Sequence, residues 1–136
     1  MTHQTEDLIL PAAMREAIID HARDHVPREC CGVISGKDGA LSTVHRLTNL
    51  EQGVDRYLFD DEEFFRVYWE IENQGEELLV VYHSHPVSVA YPSRTDVEFA
   101  FWPEAVYVIC SLEMPSAPVM RGFQIVDGVI SEVSLG

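Results

Sequence analysis

The chain has 136 residues, of which 46% are hydrophobic, and a formal net charge of −14. That length suits one domain with one buried core, and so negative a chain lacks the Lys/Arg footprint that nucleic acid or an anionic membrane would require. No apolar run approaches the roughly 20 residues of a membrane helix, and Met1 to Asp7 has neither the basic nor the apolar region of a signal peptide, so a cytoplasmic protein is expected.

Apolar residues at Leu10, Ala13, Met14, Ala17, Ile18 and Ala22 form a helical stripe from Leu10 to about His25. Pro11 suits its first turn, and Pro27 ends it. Cys30 to Ser35 then reads as a short strand of low polarity, bounded by Gly36 and the turn Lys37-Asp38-Gly39. Cys30 and Cys31 point to opposite faces of that strand. With Cys110 they make three cysteines, which form no even disulfide framework and fit reduced thiols. Glu29, just before the strand, is one of fourteen glutamates, and its residue type alone does not single it out.

Leu41 to Leu50 reads as the hairpin partner of that strand. Gln52 to Phe59 is a loop entering a short strand. Asp60 is placed to cap a second helix, with Glu63 completing a capping box and Phe64, Val67, Tyr68 and Ile71 on one face. Gly75 closes that helix.

Leu78 to Tyr82 is an unbroken apolar run, the pattern of a strand buried on both faces, and His83-Ser84-His85-Pro86 follows it directly. Side chains on a strand alternate, so His83 and His85 point one way and Ser84 the other. Pro86 stops the strand. Six residues later Ser93-Arg94-Thr95-Asp96 is a helix start, with Ser93 as N-cap and Asp96 at the third position, and the helix runs to about Phe101. Two imidazoles and one carboxylate brought together in this way make a catalytic zinc set, three protein ligands with the fourth position left to water. A structural zinc would need four protein ligands. A capping box by itself would also account for Ser93 and Asp96.

Ala105 to Ser111 is another buried strand, Met114 to Pro118 a loop, and Val119 to Val126 with Val129 to Val133 a hairpin about Asp127-Gly128. No internal repeat or linker interrupts this order. The expected fold is α/β, a single domain over 1–136 with a core over about 8–133, built as a mixed β-sheet flanked by helices.

The whole string, His-x-His-Pro, six residues and Ser-x-x-Asp, closely resembles the signature of the JAMM (MPN-plus) zinc metalloprotease family. The resemblance implies an α/β sandwich similar in layout to the zinc deaminases such as cytidine deaminase. It implies Zn2+ held by His83, His85 and Asp96. It also picks out Glu29, because the family carries a glutamate just before a Gly-containing strand, as in Glu29-Cys30-Cys31-Gly32-Val33-Ile34-Ser35-Gly36. There Glu29 would be the general base and Ser93 the oxyanion donor. Other metalloenzyme patterns are missing: the chain has no His-Glu-x-x-His and no Pro-Cys-x-x-Cys.

Within the family, a bare domain carrying Ala90-Tyr91-Pro92-Ser93-Arg94-Thr95-Asp96 looks like the small prokaryotic members. These remove residues after the C-terminal Gly-Gly of a ubiquitin-fold sulfur-carrier protein, the partner expected here. The alternatives are an isopeptidase acting on ubiquitin-like conjugates and a non-catalytic MPN scaffold.

Overall fold

The computed structural model describes residues 7–136; Met1 to Glu6, most of the start read for a signal peptide, lie outside them. Among the described residues, three helices and six strands follow one another as α1 (Ala12–His25), β1 (Cys31–Lys37), β2 (Ala40–Leu47), α2 (Asp61–Asn73), β3 (Glu77–His85), α3 (Arg94–Glu98), β4 (Val106–Ser111), β5 (Val119–Val126) and β6 (Val129–Val133). The strands form one mixed sheet in the order β2-β1-β3-β4-β5-β6. Only β3 and β4 are parallel. A parallel pair cannot be joined by a tight turn, so 86–105 must cross over the sheet, and α3 lies on that crossover.

The central position of β3 explains its sequence. It is paired on both edges, to β1 and β4, and every residue from Val80 to His85 is buried. Alternation then sorts the side chains into two cores. Cys30, Ile34, Val80, Tyr82, Val108 and Cys110 pack with Ile18 and Ala22 of α1. Cys31, Val33, Val81, Tyr107, Ile109 and Phe123 pack on the other face with Ile71 of α2 and Val97 of α3. Each fully buried aliphatic or Phe side chain contributes roughly 1.5–3 kcal/mol. Cys30 and Cys31 therefore do face opposite ways, and all three cysteines are free and buried. Among the described residues, no helix is long and apolar enough to cross a membrane.

Five local expectations are corrected. Leu10 and Pro11 precede α1 rather than open it: Leu10 N–H donates to the Leu135 carbonyl, and the Pro11 carbonyl accepts from Met14 and Arg15. The second strand ends at Leu47, and the strand expected at Phe59 is a single bridge to Asn49. Asp60 does cap α2, accepting from the N–H groups of Glu62 and Glu63, but Glu63 does not reach back to close the box. Its carboxylate instead accepts from the Thr48 N–H at 2.6 Å and the Thr48 hydroxyl at 3.0 Å. Finally, α3 stops at Glu98, short of Phe101. Trp102 packs against Phe64 and Tyr68, which draws the chain off the helix axis, and Pro103 behind it disfavours helical backbone.

Candidate metal centre

The C-terminal end of β3 lies beside the crossover, the place where open α/β sheets bind ligands. His83 and His85 project from that end to the α2/α3 side, and α3 delivers Asp96. The Nε2 atoms of His83 and His85 are 3.1 Å apart, and each lies 3.1 Å from Asp96 Oδ2. This is an equilateral triangle of ligand atoms. Tetrahedral zinc with bonds of about 2.0–2.1 Å separates its ligand atoms by about 3.3–3.4 Å, so the residues fit the metal. All three are buried.

The surroundings orient each of these three side chains. His85 Nδ1 lies 2.7 Å from the Val89 carbonyl, which places its proton there and leaves the Nε2 lone pair directed at the triangle. The Tyr57 ring stacks on His83, with centroids 4.7 Å apart. Asp96 is held by the capping box of α3, in which Ser93 N–H donates to Oδ2 at 2.9 Å and Asp96 N–H donates to Ser93 Oγ at 3.1 Å. The cap and the candidate metal site thus share one carboxylate. Burial alone would raise its pKa, but the two imidazoles and the Ser93 N–H hold it well below the usual carboxylate range.

Glu29 reaches the same place from another strand. Cys31 pairs with His83 across β1 and β3, so two residues earlier Glu29 stands level with His85 and on the same face. It is buried, and its Oε1 has no hydrogen-bond partner among the described residues. Burial pushes this carboxyl up to about 8, against the opposing influence of His85. A buried carboxyl with an open oxygen beside two imidazoles and a carboxylate is a second sign that the site suits a cation.

Burial also pushes up the neighbouring thiols, Cys30 to about 12 and Cys31 further, so neither offers a thiolate near neutral pH. Two contributors have no motif in the sequence. Tyr57 lies in a stretch that reads only as loop, and Asn49 fastens that loop. Beside Tyr57 a cavity of about 220 Å³ opens, walled by Phe59, Phe64, Phe101, Trp102 and Tyr107.

Residues 11–126 match the family described as prokaryotic homologs of the JAB domain. The chain belongs to this family. It is 38% identical over 127 residues to the CysO-cysteine peptidase of Mycobacterium tuberculosis, covering 92% of this chain and 87% of the relative. It is 40% identical over 112 residues to the desampylase of Haloferax volcanii, covering 76% and 80%. The solution structure of a Desulfitobacterium hafniense protein superposes with a TM-score of 0.82 at 32% identity, over 95% of this chain and 90% of that one. The resemblance to JAMM enzymes seen in the motif thus extends over most of the chain, and this prokaryotic JAB protein is a JAMM-type hydrolase with the expected mixed-sheet α/β fold.

Proposed function

We propose that this JAB-domain protein is a zinc peptidase that cuts after the C-terminal Gly-Gly of a ubiquitin-fold sulfur-carrier protein and removes the residues that trail it. The reading is carried by the buried triangle of His83, His85 and Asp96 with Glu29 on the same face, in a chain similar to enzymes named for peptidase and desampylase activity. His83 Nε2, His85 Nε2 and Asp96 Oδ2 would hold the metal. When bound, zinc supplies Lewis-acid polarisation of the scissile carbonyl and lowers the pKa of water towards about 7.

The chain's own groups do the rest. In the ionised form that a cation beside it would favour, Glu29 takes a proton from the attacking water on its open Oε1 and returns it to the leaving amine. Ser93 Oγ accepts from the Asp96 N–H, which leaves its hydroxyl hydrogen free to donate to the developing oxyanion. A tail ending in two glycines is thin and flexible enough to lie extended along a sheet edge and reach a buried metal. Three free thiols fit the reducing cytoplasm, where we place the reaction.

The test is intact-mass analysis of carriers bearing residues after Gly-Gly, incubated with enzyme, with and without chelator. Chelator-sensitive loss of only the trailing residues is the expected result. Inertness towards such carriers, with cleavage of isopeptide-linked conjugates instead, assigns the isopeptidase reading. Inertness towards both assigns the scaffold.

A further inference from the structure

We infer that Ser84 and Asn49 are positioning residues that set Glu29 by gripping the peptide plane immediately after it. This inference rests on the peptidase reading above and goes beyond it by assigning roles to two residues outside the ligand, base and oxyanion set.

The observation is a paired departure from the sheet ladder. Continuing the register of β1 against β3 places Cys30 opposite Ser84, and continuing it against β2 places Glu29 opposite Asn49. In an antiparallel ladder, opposed residues of a hydrogen-bonded pair exchange two backbone bonds. Ser84 N–H does donate to the Cys30 carbonyl, at 3.1 Å. The return bond is different: Cys30 N–H donates to Ser84 Oγ, at 2.8 Å. On the other edge the Glu29 carbonyl accepts from the Asn49 side-chain amide, at 3.0 Å.

The Glu29 carbonyl and the Cys30 N–H belong to one rigid peptide plane. Both of its polar groups are thus held by side chains of the residues directly opposite, one on each flank. Fixing that plane fixes ψ of Glu29, and so the direction in which its carboxylate leaves the Cα. Both gripping groups are themselves immobile. Ser84 is fully buried between the two histidines, so one residue links the metal ligands to Glu29. Asn49 Nδ2 also donates to the Arg56 carbonyl, and Oδ1 accepts from the N–H groups of Glu51 and Leu58. An amide with its two donors and two lone pairs all engaged cannot turn without breaking several bonds at once. The same amide ties down the loop that carries Tyr57.

The experiment compares zinc-loaded wild type, Ser84→Ala, Ser84→Thr and Asn49→Asp. Asn49→Asp keeps the two acceptor bonds and removes the amide donors to Glu29 and Arg56, so it tests the grip even if Ser84→Thr does not fold. Amide exchange of Cys30 is read against Val33 and Ile34, together with the 13C signal of the Glu29 carboxyl and kcat and KM on a carrier with residues after Gly-Gly. In Ser84→Ala we expect Cys30 to exchange at least about tenfold faster, the Glu29 signal to move, and kcat to fall about tenfold or more, with metal content and KM little changed. Ser84→Thr restores all three, and Asn49→Asp moves the Glu29 signal and lowers kcat in the same way. In a Glu29→Gln background, Ser84→Ala costs nothing further. A Cys30 amide as protected in Ser84→Ala as in wild type, an unmoved Glu29 signal, or an equal loss of rate in the Glu29→Gln background overturns the inference. If wild type processes no carrier, the peptidase reading falls, while the exchange and carboxyl signals still decide whether the peptide is gripped.

Discussion

The ring of Tyr57 lies against the imidazole of His83, planes 30° apart and centroids 4.7 Å apart. His83 Nδ1 is buried without a hydrogen-bond partner among the described residues, whereas His85 Nδ1 has the Val89 carbonyl. The stacked ring is therefore the contact that orients His83 where a hydrogen bond orients His85. Tyr57→Phe keeps the ring and should behave as wild type. Tyr57→Ala should weaken zinc retention about tenfold, the lower end of the usual worth of an outer-sphere partner. The measurement is zinc loss to a competing chelator, and equal retention in both variants would remove Tyr57 from the site.

Removing a ligand should have a larger effect than loosening one. His83→Ala and Asp96→Ala each leave two ligand atoms of the triangle, too few for a stable zinc site. Metal analysis of purified protein should find one zinc per chain in wild type and almost none in either variant. Full occupancy in both would show that the ligands lie elsewhere. Asp96→Ala should also lower stability, by about 0.5–2 kcal/mol, because it removes half of the α3 capping box.

Glu29→Gln separates proton transfer from metal binding. The amide has nearly the carboxyl's shape but cannot take a proton, and Glu29 is not a member of the triangle. Zinc content should stay at the wild-type level, while turnover falls roughly 10²–10⁴-fold, the usual worth of a general base. Turnover near wild type would demote Glu29 to a packing residue.

His21 should lower stability on mild acidification, an effect opposite in sign to that of Glu29, whose raised value favours the folded chain as pH falls. The His21 side chain is buried under α1 with Nδ1 2.7 Å from the Tyr82 hydroxyl. Burial pushes its pKa down to about 4, the Arg46 and His25 charges push the same way, and Asp24 opposes them. Between the folded value of about 4 and the ordinary value of about 6.5, the unfolded chain binds the extra proton and the folded chain does not. The contribution is complete above the ordinary value and is lost as pH falls through that window, by up to about 3 kcal/mol. Between pH 7.5 and pH 4.5, urea unfolding should show a less favourable change in stability for wild type than for His21→Gln, which cannot titrate at this position. Parallel losses would assign the acid sensitivity to other groups.

What the chain settles by itself is the local part of this protein. Strand alternation is enough to put His83 and His85 on one face and Ser84 on the other, because side-chain direction on a strand depends only on position. Helix capping similarly pairs Ser93 with Asp96, three residues apart, and the apolar run through Leu78 to Tyr82 marks the strand buried on both faces. The failures are mostly competitions in which distant partners take part. Glu63 has the spacing to close a capping box, but the fold brings Thr48 within 2.6 Å and offers two donors in place of one. The helix expected to reach Phe101 stops at Glu98, where Trp102 packs on Phe64 and Tyr68 and Pro103 follows it. Glu29 sits 54 residues from His83 along the chain and is drawn level with His85 only by the β1–β3 register. Asn49 and Tyr57 have no signature in the sequence, since a buried amide with four partners and a ring lying on an imidazole are products of long-range register. The candidate metal triangle is written in the order of the residues; the contacts that hold and orient it exist only once the sheet has formed.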